Sequence, residues 1–69
     1  MKATVNSAIF NYSAYFEKFP GIRAVGTIDA KSFDDAKDAV HGMAGKWITE
    51  EGSSFVAGRP SVVDIWWVE

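Results

Sequence analysis

The sequence predicts an α+β domain over residues 1–69, in which a single helix packs on an antiparallel sheet with the elements in the order ββαββ(β). Two observations predict it. One stretch, from Phe33 to about Ala44, has the apolar spacing of a helical face, and apolar side chains in the flanking segments alternate with a period of two. One helix covering one antiparallel sheet is the simplest way for these elements to bury their apolar faces together.

The first predicted strand lies at residues 8–16. Aromatic and β-branched residues are frequent in strands, which supports this assignment. Ile9, Tyr12 and Phe16 also share one face of a helix, so a helix is the alternative for this segment. The two alternating sets are Ala8, Phe10, Tyr12, Ala14 and Phe16 on one face, and Ile9, Asn11, Ser13 and Tyr15 on the other.

A turn at Pro20-Gly21 separates this segment from a second strand, Ile22 to Ala30. Proline presets the first torsion of a turn, and glycine accepts a positive φ at the next position. Ile28 and Ala30 are expected to face the helix. Gly26 in the middle of the strand indicates a bulge or a close backbone approach. The residues expected to face outward are Arg23, Thr27 and Asp29.

The helix is predicted to begin at a serine cap. The hydroxyl of Ser32 can accept an amide hydrogen bond from the first turn, and Asp35 stands three residues later, where the acid of a capping box belongs. Gly42 and Gly45 are expected to end the helix. The predicted buried stripe is Phe33, Ala36, Ala39, Val40 and Met43.

The remaining strands follow the helix in quick succession. Residues 46–49 form one strand, residues 51–54 a hairpin turn and residues 55–57 the returning strand. Residues 58–61 then interrupt that strand or separate it from a fifth, which covers residues 62–68.

The last strand is apolar on both faces, although a sheet with one wet face should alternate apolar with polar residues. The two sets are Val63, Ile65 and Trp67, and Val62, Asp64, Trp66 and Val68. Because one helix covers only one face, Trp67 is expected to point inward and Trp66 to lie on a contact surface. A cover formed by the domain's own loops or N-terminal segment is the alternative. The predicted partner-binding residues are Trp66, Asp64, Val62, Val68, Glu50 and Glu51.

The composition argues against several classes of function. The chain has no cysteine, which removes disulfides and thiolate-held metals. A net charge of −2 disfavours a phosphate-binding surface, so direct nucleic-acid binding is not expected. No apolar run is long enough to span a membrane, and no signal-peptide core follows Met1, so a cytoplasmic protein is expected.

No catalytic constellation is visible either. His41 is the only histidine, and no nucleophile is tied to it by a motif. Asp38 and His41 share a helical face, but no third ligand lies near them in the sequence. We therefore expect a protein that is not an enzyme and that has no cofactor, metal site or catalytic residue.

In its organisation the chain resembles small phage-encoded inhibitor proteins of the anti-CRISPR type. A strand runs into the pattern Ala30-x-Ser32-x-x-x-Ala36-Lys37-x-x-Ala39, and a terminal hairpin closes on Trp67-Val68-Glu69. The resemblance implies stoichiometric binding to a host defence complex that processes nucleic acid, and it carries over no individual functional residue.

Two functions are therefore expected. The first is a protein-binding module that inhibits or adapts a larger complex. The alternative is a small homo-oligomeric subunit that pairs with its own copies through the sheet and could enclose a small ligand. A small domain without disulfides commonly gains stability from such association.

Overall fold

The computed structural model describes residues 7–68, in which one helix and five strands follow one another. They are β1 (Ala8–Tyr15), β2 (Arg23–Ala30), α1 (Phe33–His41), β3 (Gly45–Ile48), β4 (Ser54–Ala57) and β5 (Val62–Trp67). The α+β class and the order ββαββ(β) are confirmed, and the last position is a separate fifth strand.

A three-stranded antiparallel sheet in the order β2-β1-β5 forms the centre of the fold. The β1–β2 register runs from Ala8 opposite Ala30 to Tyr15 opposite Arg23 without interruption. On its other side, β1 pairs with β5 from Phe10 opposite Trp67 to Tyr15 opposite Val62. Residues 8–15 are thus a strand and not the alternative helix. The period-two alternation places Phe10 and Tyr12 on one face of this central strand, where both are buried.

The hairpin of β3 and β4 forms a second, two-stranded sheet. A single antiparallel bridge between Ala24 and Thr49 connects it to β2. Gly52 has a φ of +93° in the turn that joins the two strands, a conformation that glycine adopts without steric cost. The hairpin places Trp47 inside the protein, where its side chain is only 2% exposed.

The helix starts where the sequence predicts and ends earlier. The backbone N–H of Asp35 donates to the Ser32 hydroxyl at 3.1 Å, so the predicted cap is present. The last helical residue is His41 rather than Ala44, because Gly42 caps the helix with its N–H on the Asp38 carbonyl at 3.0 Å. Within residues 7–68, no helix is long and apolar enough to cross a membrane.

The buried face of α1 is narrower than predicted. Ala36 and Val40 are fully buried, and Met43 packs partly against the core. Ala39 is exposed and Phe33 is 42% exposed, contrary to the prediction. The helix therefore contacts the core mainly through Ala36 and Val40, which lie one turn apart, and Phe33 lies at the edge of this contact.

Aromatic side chains occupy much of the core between the sheet, the helix and the hairpin. Trp47 makes edge-to-face contacts with Phe16 at 5.0 Å and with Tyr12 at 6.2 Å between ring centroids. Phe55 packs edge-on against Phe16 at 5.3 Å. The Nε1 atom of Trp47 is buried without a hydrogen-bond partner among the described residues, a cost that the surrounding aromatic packing must offset.

Gly26 is the site of a close approach and not of a bulge. The register is continuous at this position, with Gly26 opposite Tyr12. A Cβ atom on Gly26 would lie 2.6 Å from the Tyr12 hydroxyl oxygen and 2.8 Å from Cζ. Glycine is therefore required here because the tyrosine ring lies across the neighbouring strand.

Candidate protein-interaction surface

The candidate surface is the face of the three-stranded sheet that points away from α1, which we call the open face. Side chains alternate between the two faces along each strand, so the register decides which residues share it. The helix lies on the side of Phe10, Tyr12 and Ala14. The open face consists of Ile9, Asn11, Ser13, Tyr15, Arg23, Val25, Thr27, Asp29, Val62, Asp64, Trp66 and Val68.

The register places an exposed apolar cluster at one end of the open face. Trp66 lies opposite Asn11. The backbone N–H of Val68 donates to the Ile9 carbonyl at 3.3 Å, so the next pair continues the ladder. Ile9, Trp66 and Val68 are therefore neighbours, and all three are exposed, Trp66 by 46%. The Trp66 side chain at this corner therefore keeps about half of its surface exposed.

Two further predicted residues follow on the same strand. Asp64 is exposed and lies opposite Ser13, and Val62 is exposed and lies opposite Tyr15. Ser13 itself is buried among its neighbours. The structure thus brings four of the six predicted residues, Val62, Asp64, Trp66 and Val68, onto one face of β5 and its extension.

Glu50 and Glu51 are not beside that row. The carboxylate of Glu50 forms an ion pair with Arg23, which stands at the opposite corner of the open face. The Tyr15 hydroxyl and the Glu50 carboxylate both raise the pKa of Arg23. From strand spacing and rise per residue, the Cα atoms of Arg23 and Trp66 are on the order of 15 Å apart.

The same corner holds a shallow cleft beside the β3–β4 turn. It has a volume of about 350 Å³, and Arg23, Glu50 and Glu51 line it together with Gly21, Ile22, Thr49 and Ser53. A partner contacting both Trp66 and the two glutamates would have to span the whole open face.

Trp67 is on the predicted side of the sheet but is not a core residue. Its ring stacks on Phe10 at 4.6 Å and meets the edge of Phe33 at 5.0 Å. Trp67 therefore faces the helix side as expected, but it remains 52% exposed, so the expectation that it is a buried core residue is wrong. The reason is that β5 borders the sheet, and the helix residue packed against Trp67 is Phe33, which is itself half-exposed.

Both faces of β5 therefore carry exposed aromatic surface, whereas the sequence predicts it on the Trp66 face alone. The outer edge of β5 has no strand partner within residues 7–68, since β5 pairs with β1 alone. Edge strands are commonly protected by lysine, proline or a bulge. From Val62 to Trp67 the single charged residue is Asp64, and the register with β1 is regular.

A second cleft was not foreseen from the sequence. It has a volume of about 440 Å³ and lies between the β1–β2 loop and the β4–β5 loop. Lys18 and Arg59 line it with one acid, Glu17. None of the six predicted partner-binding residues contributes to it. The remaining lining residues are Phe16, Phe19, Ala57, Gly58, Pro60 and Ser61.

Among residues 7–68, the structure does not bring titratable side chains together into a cation site. Asp38 and His41 lie one turn apart on α1. In the part of the chain that the structure describes, no three histidine, aspartate or glutamate side chains are grouped closely enough to hold a metal ion. Comparison of the chain with protein-family models, curated proteins and solved structures found no match.

Proposed function

We propose that this protein is a non-catalytic protein-binding module and that the open face, with Trp66 as its main apolar contact, is its contact surface. The observation that carries the proposal is the exposed cluster of Ile9, Trp66 and Val68. Tryptophan is enriched among the residues that dominate binding energy, and such residues lie in the middle of an apolar patch with a polar rim.

The charges around the cluster favour a protein partner over a nucleic acid. Asp29 and Asp64 are both exposed on the open face. Arg23 is the one cation that the described strands place there, and it is paired with Glu50. Phosphate binding requires unpaired lysines and arginines, whereas an apolar patch bordered by carboxylates fits a protein surface that is apolar with basic residues at its margin.

The proposed biological role is stoichiometric inhibition in the cytoplasm. The organisation of the elements, with its resemblance to phage-encoded inhibitors of the anti-CRISPR type, supports a multi-subunit defence complex as the target. An inhibitor of this kind needs a rigid surface and no catalytic group. Here the cluster sits on paired strands, which hold its side chains more firmly than a loop would.

The test compares matched surface variants in two assays. Trp66→Ala should abolish inhibition in a reconstituted assay of target-DNA cleavage by a CRISPR-Cas complex, and it should weaken co-purification with that complex. Val56→Ala is the control, because Val56 is 73% exposed on β4 and is not part of the open face. If the wild-type protein at stoichiometric amounts neither reduces cleavage nor co-purifies with the complex, the inhibitory role is wrong. Equal binding by both variants would remove the open face as the contact surface.

A further inference from the structure

We propose that two copies of this chain pair through the outer edges of their β5 strands, antiparallel and centred on Ile65, to form a continuous six-stranded sheet. This pairing goes beyond the proposed function, because it uses the strand edge and needs no foreign partner. It would leave the open faces of both copies on the same side of the joined sheet.

The backbone of β5 is suitable for the pairing. In an antiparallel ladder, directly hydrogen-bonded pairs alternate with non-bonded pairs. The Val68 N–H donates to the Ile9 carbonyl, so Val68 belongs to a hydrogen-bonded pair with β1. Because such pairs recur at every second residue, the even-numbered residues of β5 direct their N–H and C=O groups toward β1. The N–H and C=O groups of Val63, Ile65 and Trp67 therefore point to the free edge, where they can bond a second strand.

The side chains of this segment are complementary to themselves about Ile65. Centring the pair there places Val62 opposite Val68 of the second copy, and Val63 opposite its Trp67. On the open face Asp64 meets Trp66, whose indole N–H can donate to the carboxylate. A register centred on Asp64 would instead bring two carboxylates together, which is unfavourable for cross-strand neighbours.

A second copy of the chain is favoured over a foreign strand as the partner of the β5 edge because the segment is complementary to itself. The other strand edges of the described chain are less suitable. β2 is occupied at one end by its bridge from Ala24 to Thr49, and its remaining edge contains Gly26 and Asp29, residue types that are depleted in strands. β3 and β4 are four residues long each, and short edge strands resist pairing.

The edge of β5 is six residues long and bears two half-exposed tryptophans. Each exposes on the order of 100 Å², so the four tryptophans of the pair offer on the order of 400 Å². Together with Val62, Val68 and the two strand backbones, the joined edges bury on the order of 1,000 Å² in total, at the lower limit of specific interfaces. We therefore expect a reversible dimer with a dissociation constant in the micromolar range.

Engineered cysteines test the register directly, because the chain has none of its own. Val62 and Val68 are both exposed, so cysteine is tolerated at either position. Val62→Cys alone and Val68→Cys alone should stay monomeric on non-reducing gels after mild oxidation, since equivalent residues lie roughly 20 Å apart in the pair. A mixture of the two should form a disulfide-linked dimer, because the two positions are directly opposite each other. Their Cα atoms then lie within the range of about 4.4–6.8 Å that a disulfide usually spans.

Sedimentation velocity over a concentration series tests the pairing without a cross-link. Trp66→Glu should weaken dimerisation by on the order of tenfold or more, because it sets Glu against Asp64 of the other copy. Adding Asp64→Lys should restore the dimer, whereas Val56→Glu on β4 should leave it unchanged. A wild-type chain that stays monomeric at millimolar concentration overturns the proposal, whether the edge is covered by the chain itself or reserved for a foreign protein. Cross-linking of either cysteine variant with itself overturns the register.

Discussion

Replacing Gly26 by alanine gives the sharpest test of the packing between β1 and β2. The added Cβ would lie 2.6 Å from the Tyr12 hydroxyl oxygen and 2.9 Å from Cε2, well inside van der Waals contact. The tyrosine side chain is nine-tenths buried and packs edge-on against Trp47. Because the ring is rigid and has core neighbours behind it, it cannot move aside without disturbing Trp47.

The expected effect of Gly26→Ala on the free energy of unfolding has the opposite sign to that of a glycine-to-alanine change at an unhindered position. Where the backbone conformation suits alanine, a change from glycine stabilises a protein by about 0.4–1 kcal/mol, since the unfolded chain loses entropy. Forcing an extra carbon into a packed core costs about 1–3 kcal/mol. The steric cost is larger at this position, so Gly26→Ala should lower the free energy of unfolding by about 1–2 kcal/mol.

Urea denaturation followed by tryptophan fluorescence measures this difference. Gly58→Ala is the matched control, because a Cβ on Gly58 meets nothing within 4 Å, and that variant should be neutral or slightly more stable. Tyr12→Leu removes the contacting atoms, so in that background Gly26→Ala should cost much less, and the double-mutant cycle should show a coupling of about 1 kcal/mol or more. A stabilising effect of Gly26→Ala in the wild-type background would refute the close approach.

Three further predictions concern the core, the pH dependence and the helix cap. Trp47→Ala should cost about 3–5 kcal/mol and unfold so small a domain, whereas half-exposed Trp67→Ala should cost about 2 kcal/mol and stay folded by circular dichroism; the reverse order would contradict the core assignment. Burial raises the pKa of Tyr12 above its ordinary value of 10.0, so its contribution to stability is complete below that pH and is lost as the pH rises through the folded pKa. Tyr12→Phe should remove this part of the alkaline loss in thermal melts, and an unchanged pH profile would disprove it. Ser32→Ala should cost about 1 kcal/mol in urea denaturation because the Asp35 N–H loses its acceptor, and Ser32→Asp should retain most of that stability.

The local features of the fold could be predicted because they depend on neighbours in the sequence. The alternation around Tyr12 predicted a strand, the Ser32 hydroxyl predicted the helix start, and parity along β5 assigned Trp66 and Trp67 to opposite faces. The end of the helix was placed three residues too late, because Met43 has the spacing of the stripe although Gly42 already caps the helix.

Features that depend on distant contacts could not be predicted. Trp47 is the buried tryptophan because the hairpin folds over Phe16, and its short strand carries no pattern that reveals this. Trp67 is exposed because it lies on a strand that borders the sheet and contacts the helix at half-exposed Phe33. The ion pair between Arg23 and Glu50 arises from the single bridge next to Ala24, which joins segments far apart in the sequence. The cleft beside Lys18 is likewise formed by two loops that only the strand order brings together.

The most direct test of the contact surface measures binding and folding of the same variant. Trp66→Ala should keep a cooperative urea transition, since the side chain is 46% exposed. Its affinity for the purified partner should fall by about 2 kcal/mol or more, roughly thirtyfold, when titrated calorimetrically beside wild-type protein. A folded Trp66→Ala variant that binds the partner with wild-type affinity would contradict the assignment of the open face as the site of binding.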